Sequence, residues 1–114
     1  MDFSKLYKVK EGKLNTIKEW FEVLERDKKE EALKTFEYEQ ITREIFVLFH
    51  AETGDQFVIG LNEVNGKRIT GDPEVLINQH HRAVLQECLE PVSNRGEVLL
   101  DLSLQKSSNI VPNL

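Results

Sequence analysis

Along this chain the spacing of apolar positions switches between a period near 3.6 and a period of two, and each switch marks an element. Residues 3–10 mix aromatic and branched side chains with lysines and predict a first strand. Glu11-Gly12-Lys13 ends it, with Gly12 free to take the turn conformation between strand and helix. Ile17, Trp20, Phe21 and Leu24 then fall on one helical stripe, which Leu33 and Phe36 resume. The pattern predicts one long helix from about residue 13 to residue 37 with a solvated, charged middle, and is also compatible with two shorter ones. Ile45-Phe46-Val47-Leu48-Phe49 is continuously apolar, as is Phe57-Val58-Ile59-Gly60-Leu61 around its glycine. With Glu52-Thr53-Gly54-Asp55 between them, they predict a β-hairpin whose strands are covered on both faces.

A second amphipathic helix is expected over residues 72–89. Asp72 suits the N-cap and Pro73 the first helical position, and Glu74 complements the positive end of the helix. Ile77, His81, Val84 and Cys88 recur at steps of four, three and four, placing His81 within the apolar stripe. Pro91 is expected to stop this helix. A last strand is expected where Val98, Leu100, Leu102 and Leu104 alternate with Glu97, Leu99, Asp101 and Ser103. Residues 1–104 thus form one α+β domain, and residues 105–114 a polar tail.

Strand, helix, strand, strand, helix, strand is the split βαβ, or ferredoxin-like, plan: a four-stranded antiparallel sheet with both helices on one face. Helices cover only one face of such a sheet, whereas the central strands are apolar on both. A second copy is the simplest cover for the other face, so a homodimer through the sheets is expected.

Composition narrows the function. At 114 residues with 39% hydrophobic and 31% charged positions, the chain has the size and texture of one soluble domain. A net charge of -5 argues against nucleic acid, because phosphate binding needs concentrated Lys and Arg. The single cysteine excludes an internal disulfide and fits a reducing compartment. No apolar run approaches the length of a membrane span and no signal peptide is evident, so the expected location is cytoplasmic.

The order of elements, the Lys8-Val9-Lys10-Glu11-Gly12-Lys13 turn followed by Glu19-Trp20, and the Ile77-Asn78-Gln79-His80-His81 run leading to Glu87-Cys88 resemble a family of small uncharacterised bacterial proteins. Glu44 ahead of Ile45-Phe46 matches an acidic residue of that family. The resemblance implies a dimeric α+β barrel, a group that includes L-rhamnose mutarotase, antibiotic-biosynthesis monooxygenases and haem-degrading enzymes.

His81 is the sharpest candidate for chemistry. In a cleft it could serve as general acid or base; structurally it could equally be a buried histidine bonded to a backbone carbonyl. Glu44 is the candidate partner or second acid/base, and its strand face decides whether it enters the cleft or pairs across a dimer interface. Tyr7 and Trp20 would supply pocket wall. Cys88 lies on the helix stripe with nothing nearby to lower its pKa, so it is not expected to be a nucleophile. No metal site is expected: His80 and His81 are adjacent rather than four apart, and His50 ends a different element. No phosphate loop, nucleophile elbow or dinucleotide fingerprint occurs, and no cofactor is expected. Two functions compete. One is a cofactor-free, mutarotase-like isomerase acting on a small polar metabolite. The other is a non-enzymatic dimeric scaffold or regulatory module.

Overall fold

The computed structural model describes residues 3–104. In chain order these form β1 (Phe3–Val9), α1 (Leu14–Arg26), α2 (Lys29–Glu39), β2 (Ile41–His50), β3 (Gln56–Val64), α3 (Leu76–Cys88) and β4 (Leu89–Ser93). The strands make one sheet in the order β2-β3-β1-β4, with every neighbouring pair antiparallel. An α+β domain with a four-stranded antiparallel sheet is therefore what the sequence pattern led one to expect. The β2–β3 hairpin also forms, closed by the Ala51 amide on Asp55 and the Gly54 amide on Ala51, with Gly54 at φ 94°. No described helix is long and apolar enough to cross a membrane.

Three elements differ from expectation, each for a physical reason. The long helix is broken: the amides of Asp27 and Lys28 both bond to the Val23 carbonyl, at 2.9 Å each, and α2 restarts from Lys28. Leu33 follows Leu24 by nine residues, roughly two and a half helical turns. An unbroken helix would point the two stripes in opposite directions. The break lets Phe36 reach the sheet side while Leu33 stays 47% exposed.

The second helix begins later than expected, at Leu76 rather than after Asp72. The Asp72 carboxylate accepts the Glu74 amide at 2.9 Å, and its carbonyl accepts the Asn78 side chain at 2.9 Å. Asp72 therefore caps a turn that leads into the helix instead of the helix itself.

The final strand is also misplaced in the sequence reading. α3 passes directly into β4 at Leu89, and Lys10 N–H bonds to the Cys88 carbonyl at 2.8 Å at that junction. Pro91 lies within β4 opposite Tyr7 and does not act as the helix stop; an edge strand tolerates its missing N–H. β4 occupies the second edge of β1, and residues 97–104 form no strand despite their alternation. Their Val98, Leu100, Leu102 and Leu104 are 66–89% exposed. The polar tail, residues 105–114, lies outside the described residues.

The core joins Val9, Val58 and Leu89 of the sheet to Ile17 and Trp20 of α1 and Cys88 of α3. Pairing of Leu48 with Val58 and of Phe46 with Gly60 fixes which face meets the helices. Gly60 leaves room there: a Cβ would come within 2.8 Å of the Phe46 ring, which stacks on Phe21 with centroids 4.6 Å apart. Alternation sends Ile45, Val47 and Phe49 to the opposite face, where Val47 and Phe49 are 37% and 51% exposed.

Candidate functional site

Strand alternation places Glu44 two residues before Phe46, on the helix-facing side of β2, opposite Asn62 of β3. That side is not completely filled. A cavity of about 360 Å³ lies between α2, α3 and the sheet. Tyr7, Glu44 and Asn62 line it from the strands, Thr35 and Glu39 from α2, and Asn78, His81 and Arg82 from α3. The connection between β3 and α3 closes one side with Arg68, Thr70 and Gly71.

α2 ends at Gln40, whose left-handed φ of 60° turns the chain sharply into β2. The connection is tied to this corner by Asn65 N–H on the Gln40 carbonyl and Ile69 N–H on the Glu39 carbonyl. Arg68 is thereby brought to the Glu39 carboxylate, with its Nη2 3.5 Å from Oε1. Gly71 permits the crossing, because a Cβ there would come within 3.1 Å of the same carboxylate.

Burial dominates the electrostatics. It pushes the Glu44 carboxyl up to about 7, and the neighbouring Glu39 adds to the rise, while Arg68 and Lys5 oppose it. The Asn62 amide nitrogen donates to Glu44 Oε2 at 2.9 Å in the amide orientation that satisfies both groups. Glu39 is raised for the same first reason, offset by Arg68 and Thr35. Burial, followed by the charge of Glu44, raises the Tyr7 hydroxyl.

The imidazole is affected in the other direction. Burial, with a smaller effect of His80, lowers His81 to about 4. Trp20 Nε1–H donates to His81 Nδ1 at 2.8 Å, so Nδ1 carries no proton and the neutral ring holds its hydrogen on Nε2. At neutral pH His81 is therefore a fixed hydrogen-bond donor, while burial lifts Glu44 out of the usual carboxylate range toward neutrality.

The structure brings Glu44, Tyr7 and His81 to one cavity. Trp20 does not line it; it sits behind His81 in the core and sets the tautomer of that ring. His80 is exposed and lies tilted by 42° against Trp20 with ring centroids 4.4 Å apart, whereas His50 ends β2 at the surface. Among the described residues no three His, Cys, Asp or Glu side chains cluster as metal ligands. Cys88 is fully buried, and burial pushes its thiol up.

Sequence reasoning missed Glu39, Asn62 and Arg68. Asn62 was within reach, since alternation from Val58 through Gly60 puts it on the inner face. Glu39 lies at the polar end of a helix and Arg68 in a polar connection, so neither carried a periodic signal.

A family model described as a family of unknown function (DUF6176) matches residues 4–107 of the chain. No curated protein matches, and no solved structure matches. Nothing in these comparisons links the chain to L-rhamnose mutarotase, to antibiotic-biosynthesis monooxygenases or to haem-degrading enzymes.

Proposed function

We propose that this chain, which belongs to the DUF6176 family of unknown function, binds a small polar metabolite between its helices and its sheet and moves a proton on it. Glu44 is the proton carrier in this reading, and His81 is a neutral donor to a substrate oxygen. The observation that carries the proposal is the position of Glu44: a largely buried carboxyl on the wall of a cavity of small-metabolite size. A carboxyl poised near neutrality serves as acid or base with little driving force lost in either direction. In a sugar isomerisation of the mutarotase type, the Glu44 carboxylate would take the proton of the anomeric hydroxyl as the ring C–O bond breaks. His81 Nε2–H would meanwhile hydrogen-bond the ring oxygen as charge develops there. After rotation of the freed carbonyl, that oxygen would attack its other face to re-form the C–O bond, and Glu44 would return its proton to the new anomeric oxygen. Lys5, Arg68 and Arg82 favour an electron-rich substrate, and Thr35, Thr70 and Asn78 offer further polar contacts.

The finer architecture belongs to the same proposal. The β2-β3-β1-β4 order and the split of β1 and β2 by β3 support a ferredoxin-like plan, and the apolar outer face supports a sheet-to-sheet homodimer. That same face keeps the scaffold reading alive as the alternative, in which the dimer is the function and the polar cavity is incidental.

Exchange spectroscopy by NMR decides between them. Anomer interconversion would be followed in a panel of reducing sugars, with and without protein. Acceleration by the wild-type chain and its loss in Glu44→Gln support the proton-transfer site. Absence of any acceleration, with amide signals around the cavity unmoved by millimolar ligand, sinks it and leaves the scaffold.

A further inference from the structure

Residues 97–104 present a contradiction. Their alternation is that of a buried strand, yet Val98, Leu99, Leu100, Leu102 and Leu104 are among the most exposed apolar side chains in the molecule, at 66–89%. The sheet has a complementary lack. β2 is its longest strand, ten residues free of proline, and lies at an edge with a partner on one side only. A long, proline-free edge is a template for another strand. Its outward-facing Val47 and Phe49 are themselves exposed.

The chain cannot bring these two features together within one copy. Residues 97–104 follow β4, which stands at the opposite edge from β2. At roughly 4.8 Å between strands, reaching the far side of β2 means crossing about 19 Å of sheet. At about 3.4 Å per residue that takes some six of the eight residues and leaves too few to pair. Pairing beside β4 is also disfavoured. That strand has five residues and contains Pro91, so it is short and one donor poorer. Moreover, Gly96 lies against Ser4, where any Cβ would collide with the serine side chain, so the chain leaves β4 toward the start of β1.

We infer that residues 97–104 are an exchanged arm, each copy of the chain adding this segment as a fifth strand along the open edge of β2 in a second copy. Alternation would turn Val98, Leu100, Leu102 and Leu104 toward the apolar outer face of the partner sheet. Leu99, Asp101 and Ser103 would lie on the other side of the added strand. A twofold axis makes the exchange reciprocal and closed, so no filament follows. Two arms, with the strips of sheet they cover, bury on the order of 2,000 Å², the size of a stable interface. The inference rests on the sheet-to-sheet dimer proposed above and is independent of the proton-transfer chemistry.

The test uses the full chain. Sedimentation velocity should show a dimer at about 20 μM, and the Leu100→Asp/Leu102→Asp double variant should dissociate at least 100-fold more readily. Both positions are exposed in the single chain, so its thermal unfolding at monomer concentrations should be unchanged. As a second measurement, Val47→Cys or Phe49→Cys in one chain is mixed with Leu100→Cys in a chain carrying a size tag. Disulfides between chains of different size support the exchange. A wild-type dimer indifferent to the double variant overturns the arm but leaves the sheet-to-sheet dimer standing. Absence of disulfides between the two chains in a mixture that still dimerises also overturns the arm, and a monomeric wild type overturns arm and dimer together.

Discussion

The cavity has two walls, and burial acts on them with opposite sign. On the sheet wall it keeps the Glu44 carboxyl protonated to about pH 7. On the helix wall it keeps the His81 imidazole unprotonated down to about pH 4. Desolvation disfavours whichever form is charged, so one cause moves an acid up and a base down. Between those values both groups are neutral, which is how two ionisable residues share a small cavity without a buried charge. The difference lies in what each can still do. Glu44 can lose its proton at neutral pH, whereas His81 is held in one tautomer by Trp20. The lesson reverses the usual expectation that the histidine titrates and the carboxylate orients it.

The largest expected effect falls on the sheet wall. Glu44→Gln retains size and the hydrogen bond to Asn62 but removes the transferable proton, so any proton-transfer rate should fall about 10²–10⁴-fold. NMR exchange rates on an accepted substrate measure it. If His81→Asn produces an equal loss and Glu44→Gln little, the roles assigned to the two walls are interchanged.

Stability against pH is the next largest. Glu44 is raised in the folded chain, so its contribution is fully present below its unfolded value near 4.5 and is lost as pH rises through about 7. His81 is depressed, so its contribution is present above its unfolded value near 6.5 and is lost as pH falls through about 4. Each is worth about 3 kcal/mol across its window, and between pH 4.5 and 6.5 the two slopes oppose one another. In that window Glu44→Gln should gain stability relative to wild type as pH rises, by up to about 3 kcal/mol, and His81→Asn should show the reverse trend. Urea melts at half-unit pH steps check this, with wild type subtracted so that the parallel contribution of Glu39 cancels. Parallel curves for variant and wild type would remove the argument from desolvation.

Smaller changes probe what holds each wall. Trp20→Phe keeps the aromatic bulk and leaves His81 Nδ1 without its donor, at a cost of about 1–3 kcal/mol. Because that bond needs an unprotonated Nδ1, the imidazole should also become easier to protonate, visible in its NMR titration. On the sheet wall, Gly60→Ala drives a methyl into the Phe46 ring, which can swing; a cost of about 1–2 kcal/mol is expected in denaturant unfolding. If that ring turns into the cavity, substrate affinity falls along with stability.

Much of this arrangement could be read from the chain. The hairpin of β2 and β3 followed from two apolar runs around Glu52-Thr53-Gly54-Asp55, and His81 fell on its stripe by spacing alone. The break between α1 and α2 did not follow from the stripe reading, which carries one helix through Leu33 although nine residues put Leu33 half a turn out of phase with Leu24. The last strand was not legible either. Residues 97–104 and Leu89–Ser93 competed for one edge of β1, and the better alternating pattern lost to the segment that leaves α3 already beside Val9. Arg68 and Glu39 were hidden for a related reason: a partly buried ion pair across a loop leaves no period behind it.

The amino-acid sequence by itself determined the first strand, the central hairpin, the helix that carries His81 and the identity of Glu44 and His81 as residues worth following, because periodicity and turn chemistry are local properties. Only the tertiary structure decided that Glu44 faces inward, that Trp20 fixes the ring of His81, and that burial moves the two groups' proton affinities in opposite directions. Those outcomes depend on strand register, on contacts between residues 61 positions apart such as Trp20 and His81, and on the exclusion of water. None of these is a property of any one segment of the chain.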